Sequence, residues 1–95
     1  MNGESKNMKL TENDLKAKIK KTEFIKIGRK TTICLATTLS GFEIVTSSAC
    51  VNESDFNYEI GKKIAYDNLI NKLWELEGYL LQNNKKEDWP NEKNV

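Results

Sequence analysis

Residues 31–81, TTICLATTLSGFEIVTSSACVNESDFNYEIGKKIAYDNLINKLWELEGYLL, decide the fold. Over 31–38 the β-branched residues alternate. Ile33 and Leu35 fall on one face and Cys34 and Ala36 on the other, which is the period of a strand. Leu39-Ser40-Gly41-Phe42 reads as a tight turn and 42–46 as the next strand. Residues 47–58 are polar, with Val51, Phe56 and Tyr58 as their large apolar groups, and read as a loop. From Tyr58 or Glu59 to about Gln82 the period becomes helical. Ile60, Ile64, Ala65, Leu69, Ile70, Leu73, Trp74, Leu76, Leu80 and Leu81 form a stripe wider than one sheet contact needs.

Upstream, 22–27 alternates as a strand, and Gly28-Arg29-Lys30 is a hairpin connection whose glycine is free to take φ > 0. Thr11-Glu12-Asn13-Asp14 fits a weak capping box opening a short helix, with Leu15 and Ile19 four apart. Strands joined by short turns make a meander. The expected fold is α+β: a short N-terminal helix, a three-stranded antiparallel meander, and a long C-terminal helix packed on the sheet. One domain is expected over 1–83, with 1–9 flexible, followed by a polar tail at 84–95 carrying Trp89 and Pro90. Gly78 inside the long helix costs roughly 1 kcal/mol against alanine, so a close backbone approach or a break in the last turns is expected there.

The chain has 95 residues, 38% of them hydrophobic. A core of this size is marginal alone, and the surplus apolar width of helix 60–81 points to a homodimer or higher homo-oligomer formed through it. Fifteen basic and fourteen acidic residues leave a net charge of +1, which sets up no long-range field for nucleic acid or anionic membrane. No run of apolar residues is long enough to span a bilayer, and 1–9 lacks the apolar core of a secretory signal. Two cysteines, Cys34 and Cys50, read as free thiols in a reducing cytoplasm.

Histidine is absent. Without imidazole, and with two separated cysteines, the usual general bases and metal clusters are missing. The expectation is a binding protein with no catalytic residues, metal or cofactor. Arg29 and Lys30 put two cations on a hairpin tip where backbone N–H groups also face outward, as phosphate binding requires; a solvated turn is the commoner meaning of such a pair. Ser47, Ser48, Asn52, Ser54 and Asp55 can hold ribose hydroxyls, or Ser54 or Asp55 caps the helix that follows. Phe56 either staples that helix to the core or offers a stacking face for a base. Asn68 interrupts the helix, either as an exposed residue or as a reader of a ligand edge, with Tyr66 near enough to share a pocket.

Ser40-Gly41-Phe42, Ser48-Ala49-Cys50-Val51, Asp55-Phe56, Glu59-Ile60-Gly61-Lys62-Lys63-Ile64-Ala65-Tyr66 and, above all, Trp74-Glu75-Leu76-Glu77-Gly78-Tyr79 resemble the small phage and prophage proteins named after gene product 49 and gene 66. One branch that the chain is similar to is the Thoeris anti-defence proteins. These are sponges that sequester the cyclic ADP-ribose signal of bacterial TIR proteins without destroying it. The resemblance implies a sheet plus long helix, homo-oligomers, nucleotide pockets at subunit interfaces, and a place in the host cytoplasm. Some relatives carry extra helices after the Gly-Tyr segment, where this chain has its polar tail. A ligand with a pyrophosphate and an adenine wants cations, an aromatic face and amides. Arg29 and Lys30, Phe56 and Tyr66, and Asn52 and Asn68 supply those types. The alternative is a prophage-encoded inhibitor or adaptor that binds a host protein through the same helix or Trp89.

Overall fold

A computed structural model describes residues 10–84. The expectations for residues 1–9 and for the tail with Trp89 and Pro90 lie outside the described residues. The elements are α1 (Glu12–Lys16), β1 (Ile19–Ile27), β2 (Thr31–Thr38), β3 (Glu43–Ala49), a 3-10 turn (Glu53–Asp55) and α2 (Tyr58–Asn83). The strands form one antiparallel sheet in the order β1-β2-β3. The α+β meander under a long helix is the fold of this chain.

The Thr11 capping box is present in full. The Thr11 hydroxyl accepts from Asp14 N at 3.1 Å, and Asp14 Oδ2 accepts from Thr11 N at 3.0 Å. The helix it opens is short, however, and Ile19 belongs to β1, which starts three residues before the alternation at 22–27. The register shifts between Ile19 and Lys21, and that bulge breaks the period-two signal at the strand's start. Both hairpin turns use glycine in the left-handed region, Gly28 at φ 69 and Gly41 at φ 91.

β3 runs on to Ala49, past the expected end at Thr46. Its polar second half faces the helix backbone. Thr46 Oγ1 donates to Ala65 O at 2.8 Å, and Ser48 Oγ donates to Gly61 O at 2.9 Å. Short hydroxyls let the helix lie close to the strand, so a stretch that looks like loop in the sequence is sheet. The inner face of the sheet buries Thr32, Cys34, Ala36 and Ile44 against Ala65, Leu69, Ile70 and Leu73 of α2, and Leu15 of α1 closes the end.

The close approach falls at Gly61, not Gly78. A Cβ on Gly61 would collide with the Thr32 side chain, whereas a Cβ on Gly78 would meet nothing within 4 Å and the helix runs through it unbroken. The glycine cost at Gly78 therefore has no packing return among the described residues.

Cys34 and Cys50 are free thiols, Cys34 fully buried and Cys50 partly so. Burial pushes the Cys34 thiol above its ordinary range, opposed by its hydrogen bond with Thr46. A thiol reagent added to native protein is expected to titrate Cys50 alone even at pH 9, and both thiols after denaturation. Two fast equivalents in the native state would contradict the sealed core.

Candidate functional site

Three pieces of chain meet at one end of the sheet: the β1–β2 hairpin tip, the 50–57 loop, and the N-terminus of α2. Backbone pairing ties the first two together, with Cys50 N donating to Lys30 O at 3.1 Å. Lys30 Nζ then crosses to Val51 O at 2.7 Å. Arg29 reaches Glu53 Oε1 at 3.4 Å, an exposed pair worth little in free energy. The loop folds on itself: Cys50 Sγ donates to Asn52 O at 3.1 Å, and Asn52 Nδ2 donates to Asp55 Oδ2 at 3.4 Å.

The helix cap is Asn57, not Ser54 or Asp55. Asn57 Oδ1 accepts from Ile60 N at 3.1 Å, while Glu53–Asp55 forms the separate 3-10 turn. Asn57→Ala is expected to cost about 1 kcal/mol and to lower the melting temperature by a few degrees. An unchanged transition would show that the cap is not formed in solution.

Lys30, Ser48, Asp55, Phe56, Asn57 and Gly61 are among the residues lining a small cavity of about 70 Å³ at this corner. Its electrostatics lean positive. Lys30 donates to a neutral carbonyl and makes no ion pair among the described residues. Lys26 Nζ stands 4.9 Å from the centroid of the Phe56 ring. The N-terminal turn of α2 adds the positive end of a helix dipole, and Asp55 on the cavity wall opposes it. The volume suits a group of phosphate size, so a dinucleotide would extend beyond it over the loop surface.

Of the six residues singled out in the sequence, Arg29, Lys30, Asn52 and Phe56 gather here. Tyr66 and Asn68 do not. Tyr66 is half-buried against the core, and Asn68 Nδ2 donates to Ser47 O of β3 at 2.9 Å, a link between helix and sheet. Asn68 stands about 15 Å along the helix from its first residue, at a rise of 1.5 Å per residue. Sequence reasoning missed Lys26, Asn57 and Gly61. Alternation along β1 puts Lys26 on the helix-facing side with Phe24, a signal present in the sequence. Ser48 was read as a loop hydroxyl, whereas it lies in β3 and donates to Gly61 O.

A second, larger cavity of about 530 Å³ lies at the opposite end, between the last turns of α2 and the β2–β3 turn. Leu39, Phe42, Ile44, Leu73, Leu76 and Leu80 line it, and the Lys18–Glu77 ion pair at 3.7 Å sits on its wall. Among the described residues no group of three His, Cys, Asp or Glu is placed to hold a metal ion. No described helix is long and apolar enough to cross a membrane.

The family described as phage protein (N4 Gp49/phage Sf6 gene 66) matches residues 10–85. The chain belongs to that phage protein family. The match takes in every described element, from the capping box of α1 to the end of α2, so the hairpin corner and the apolar cavity both lie within the family's span. No curated protein and no solved structure matches the chain.

Proposed function

We propose that this phage-family protein is a non-catalytic sponge that holds a cyclic ADP-ribose-type signal intact. The observation that carries the reading is the corner where Lys30, the Phe56 ring and the N-terminus of α2 converge on one cavity. That set combines an ammonium outside any ion pair, the positive end of a helix dipole and an aromatic face, the kinds of group that a pyrophosphate attached to a base uses. Arg29 is one residue from Lys30 and tied only to an exposed glutamate, so it is free to swing to a phosphate. Asn52 lies in the same loop, with its amide available to ribose or base once its long contact to Asp55 is released. Lys26 already covers one face of Phe56, so a base stacks on the other face or displaces the ammonium. Tyr66 and Asn68 enter only if a second subunit brings its helix to the corner, as the resemblance implies for interfacial pockets.

The test is retention of the cyclic product of an active TIR enzyme by wild type, Lys30→Ala and Phe56→Ala. Each substitution is expected to weaken retention about tenfold or more, since stacking of a base on an aromatic ring contributes roughly 1–3 kcal/mol. The far-UV spectrum should be unchanged. Full retention by both variants would remove this corner from the site.

A second reading is favoured by the apolar cavity at the other end. Its leucine and phenylalanine lining is the chemistry of a groove for a host protein's helix. Leu80→Asp should abolish capture of such a protein and leave nucleotide retention untouched.

A further inference from the structure

The long helix outruns the sheet that it covers. Ser48 bonds to Gly61 and Thr46 to Ala65, so two residues of β3 keep pace with four of α2. Carried on, that pace reaches the start of β3, Glu43, near Asn71 of the helix. About three turns of α2 then remain before its end at Asn83. They pass over the β2–β3 turn, and the cavity of about 530 Å³ opens between the two. Ile44 and Leu73 are its buried floor, while Leu39, Phe42 and Leu80 on its walls are 68%, 58% and 51% exposed. Single exposed apolar groups are ordinary, but a contiguous set around a cavity marks a docking site.

The residues that follow in the chain match this surface. α2 is capped at Asn84, and the sequence continues Lys85-Lys86-Glu87-Asp88-Trp89-Pro90. Five residues beyond Asn84 span at most about 17 Å. Leu80 lies about 6 Å and Leu76 about 12 Å back along the helix axis from Asn84. Trp89 therefore reaches the cavity with length left for a reversal. Pro90 disfavours helical backbone at Trp89, which favours a reversal over continuation of α2. Trp89 is the one aromatic residue after Asn84, and its indole N–H needs an acceptor when buried. The Ser40 hydroxyl and the Glu77 carboxylate supply acceptors among the lining residues. The tether then selects the occupant, because a short linker holds its group at an effective concentration on the order of millimolar. The family's match stops at residue 85, so the cavity lies within its span and Trp89 outside it.

We propose that residues 85–90 double back over the end of α2 and seat Trp89 in this cavity of the same chain, against Leu39, Phe42, Leu76 and Leu80. The seated tail closes the apolar groove, and a host protein's helix reaches the groove only by displacing Trp89. The inference stands apart from the nucleotide reading, because no ligand enters its test and the hairpin corner lies at the other end of the sheet.

Fluorescence of the full chain carrying Trp74→Phe, in which Trp89 is the sole tryptophan, tests it. The difference between wild type and Trp89→Phe gives the same reading with Trp74 retained. Trp89 emission should be blue-shifted from that of the urea-unfolded chain and shielded from acrylamide. Both properties should hold unchanged from about 1 to 200 μM, since a tethered contact does not depend on concentration. Leu80→Asp and Leu39→Asp charge opposite walls at exposed positions. Each should abolish the blue shift and the shielding with an unchanged far-UV spectrum. Trp89→Ala should lower the melting temperature by about 5 °C or more. Solvent-like Trp89 emission in the folded protein overturns the proposal. So does a shielded Trp89 that ignores both aspartates, which would place it elsewhere on the fold. Shielding that appears only as concentration rises overturns it too, and would place Trp89 on a second copy.

Discussion

Gly61→Val is expected to destabilise the protein by about 3 kcal/mol or more, read as a shift of the urea midpoint at constant slope. Position 61 is where α2 lies closest to the sheet, and even a single Cβ there would run into Thr32. Thr32 cannot easily give way. It is fully buried on the central strand, and a β-branched side chain has few rotamers to retreat into. The helix cannot lift without breaking the Ser48–Gly61 and Thr46–Ala65 hydrogen bonds. Valine's lower helix propensity than alanine's adds a few tenths of a kcal/mol, so the clash dominates. Thr32→Ala should be mild by itself, because the Thr32 hydroxyl is buried without a hydrogen-bond partner. Combined with Gly61→Ala, it should return most of the stability that Gly61→Ala loses, a coupling that a double-mutant cycle measures. Strict additivity would show that the two residues are not in contact.

Leu69→Ala is expected to cost about 3 kcal/mol or more by chemical denaturation. Leu69 is fully buried at the middle of α2, in the cluster with Leu73, Ile70, Cys34 and Ala36. With one helix on a three-stranded sheet, few neighbours can collapse into the space left behind. A small domain with total stability in the usual range would lose a large share of it. Asn71→Ala, on the exposed side of the same helix, should change stability by less than about 0.5 kcal/mol. Equal effects at both positions would mean that the helix is not oriented as described.

Where side chains obey a simple period, the fold was legible. β2 alternates from Thr31 to Thr38, and its buried set of Thr32, Cys34 and Ala36 follows from that alternation. The start of α2 at Tyr58 was marked by the change from polar loop to helical stripe. Legibility failed where tertiary contact overrides local pattern. Ile19 was drawn to the helix by its spacing from Leu15, but a bulge hands it to β1. Ser47 and Ser48 look like loop because nothing in their own chemistry announces a helix backbone lying across them. Gly78 looked purposeful and Gly61 unremarkable, since a close approach depends on what lies opposite, and Thr32 is 29 residues away in the chain.

The candidate site was legible in part for the same reason. Arg29, Lys30, Asn52 and Phe56 sit in two turns that the meander must bring to one end. Asn68 looked like a ligand reader because an asparagine in mid-helix asks for a partner. Its partner is the Ser47 carbonyl, on a strand that the sequence appeared to have already ended. The apolar cavity of about 530 Å³ was not foreseen, because its walls come from three separate stretches, with Leu39 read as part of a turn and Leu73, Leu76 and Leu80 as part of the helix stripe.

The central claim is that the protein holds a nucleotide signal without consuming it. The most direct measurement is to incubate purified protein with the product of an active TIR enzyme, remove free ligand, denature, and identify what is released by mass spectrometry. The sponge reading predicts recovery of the unmodified cyclic ADP-ribose-type nucleotide in near-stoichiometric amount. It also predicts a melting temperature that rises with ligand concentration, since binding to the folded state stabilises it by mass action. A preparation that releases no nucleotide and melts at the same temperature in excess ligand contradicts the claim, and release of a cleaved product contradicts its non-catalytic part.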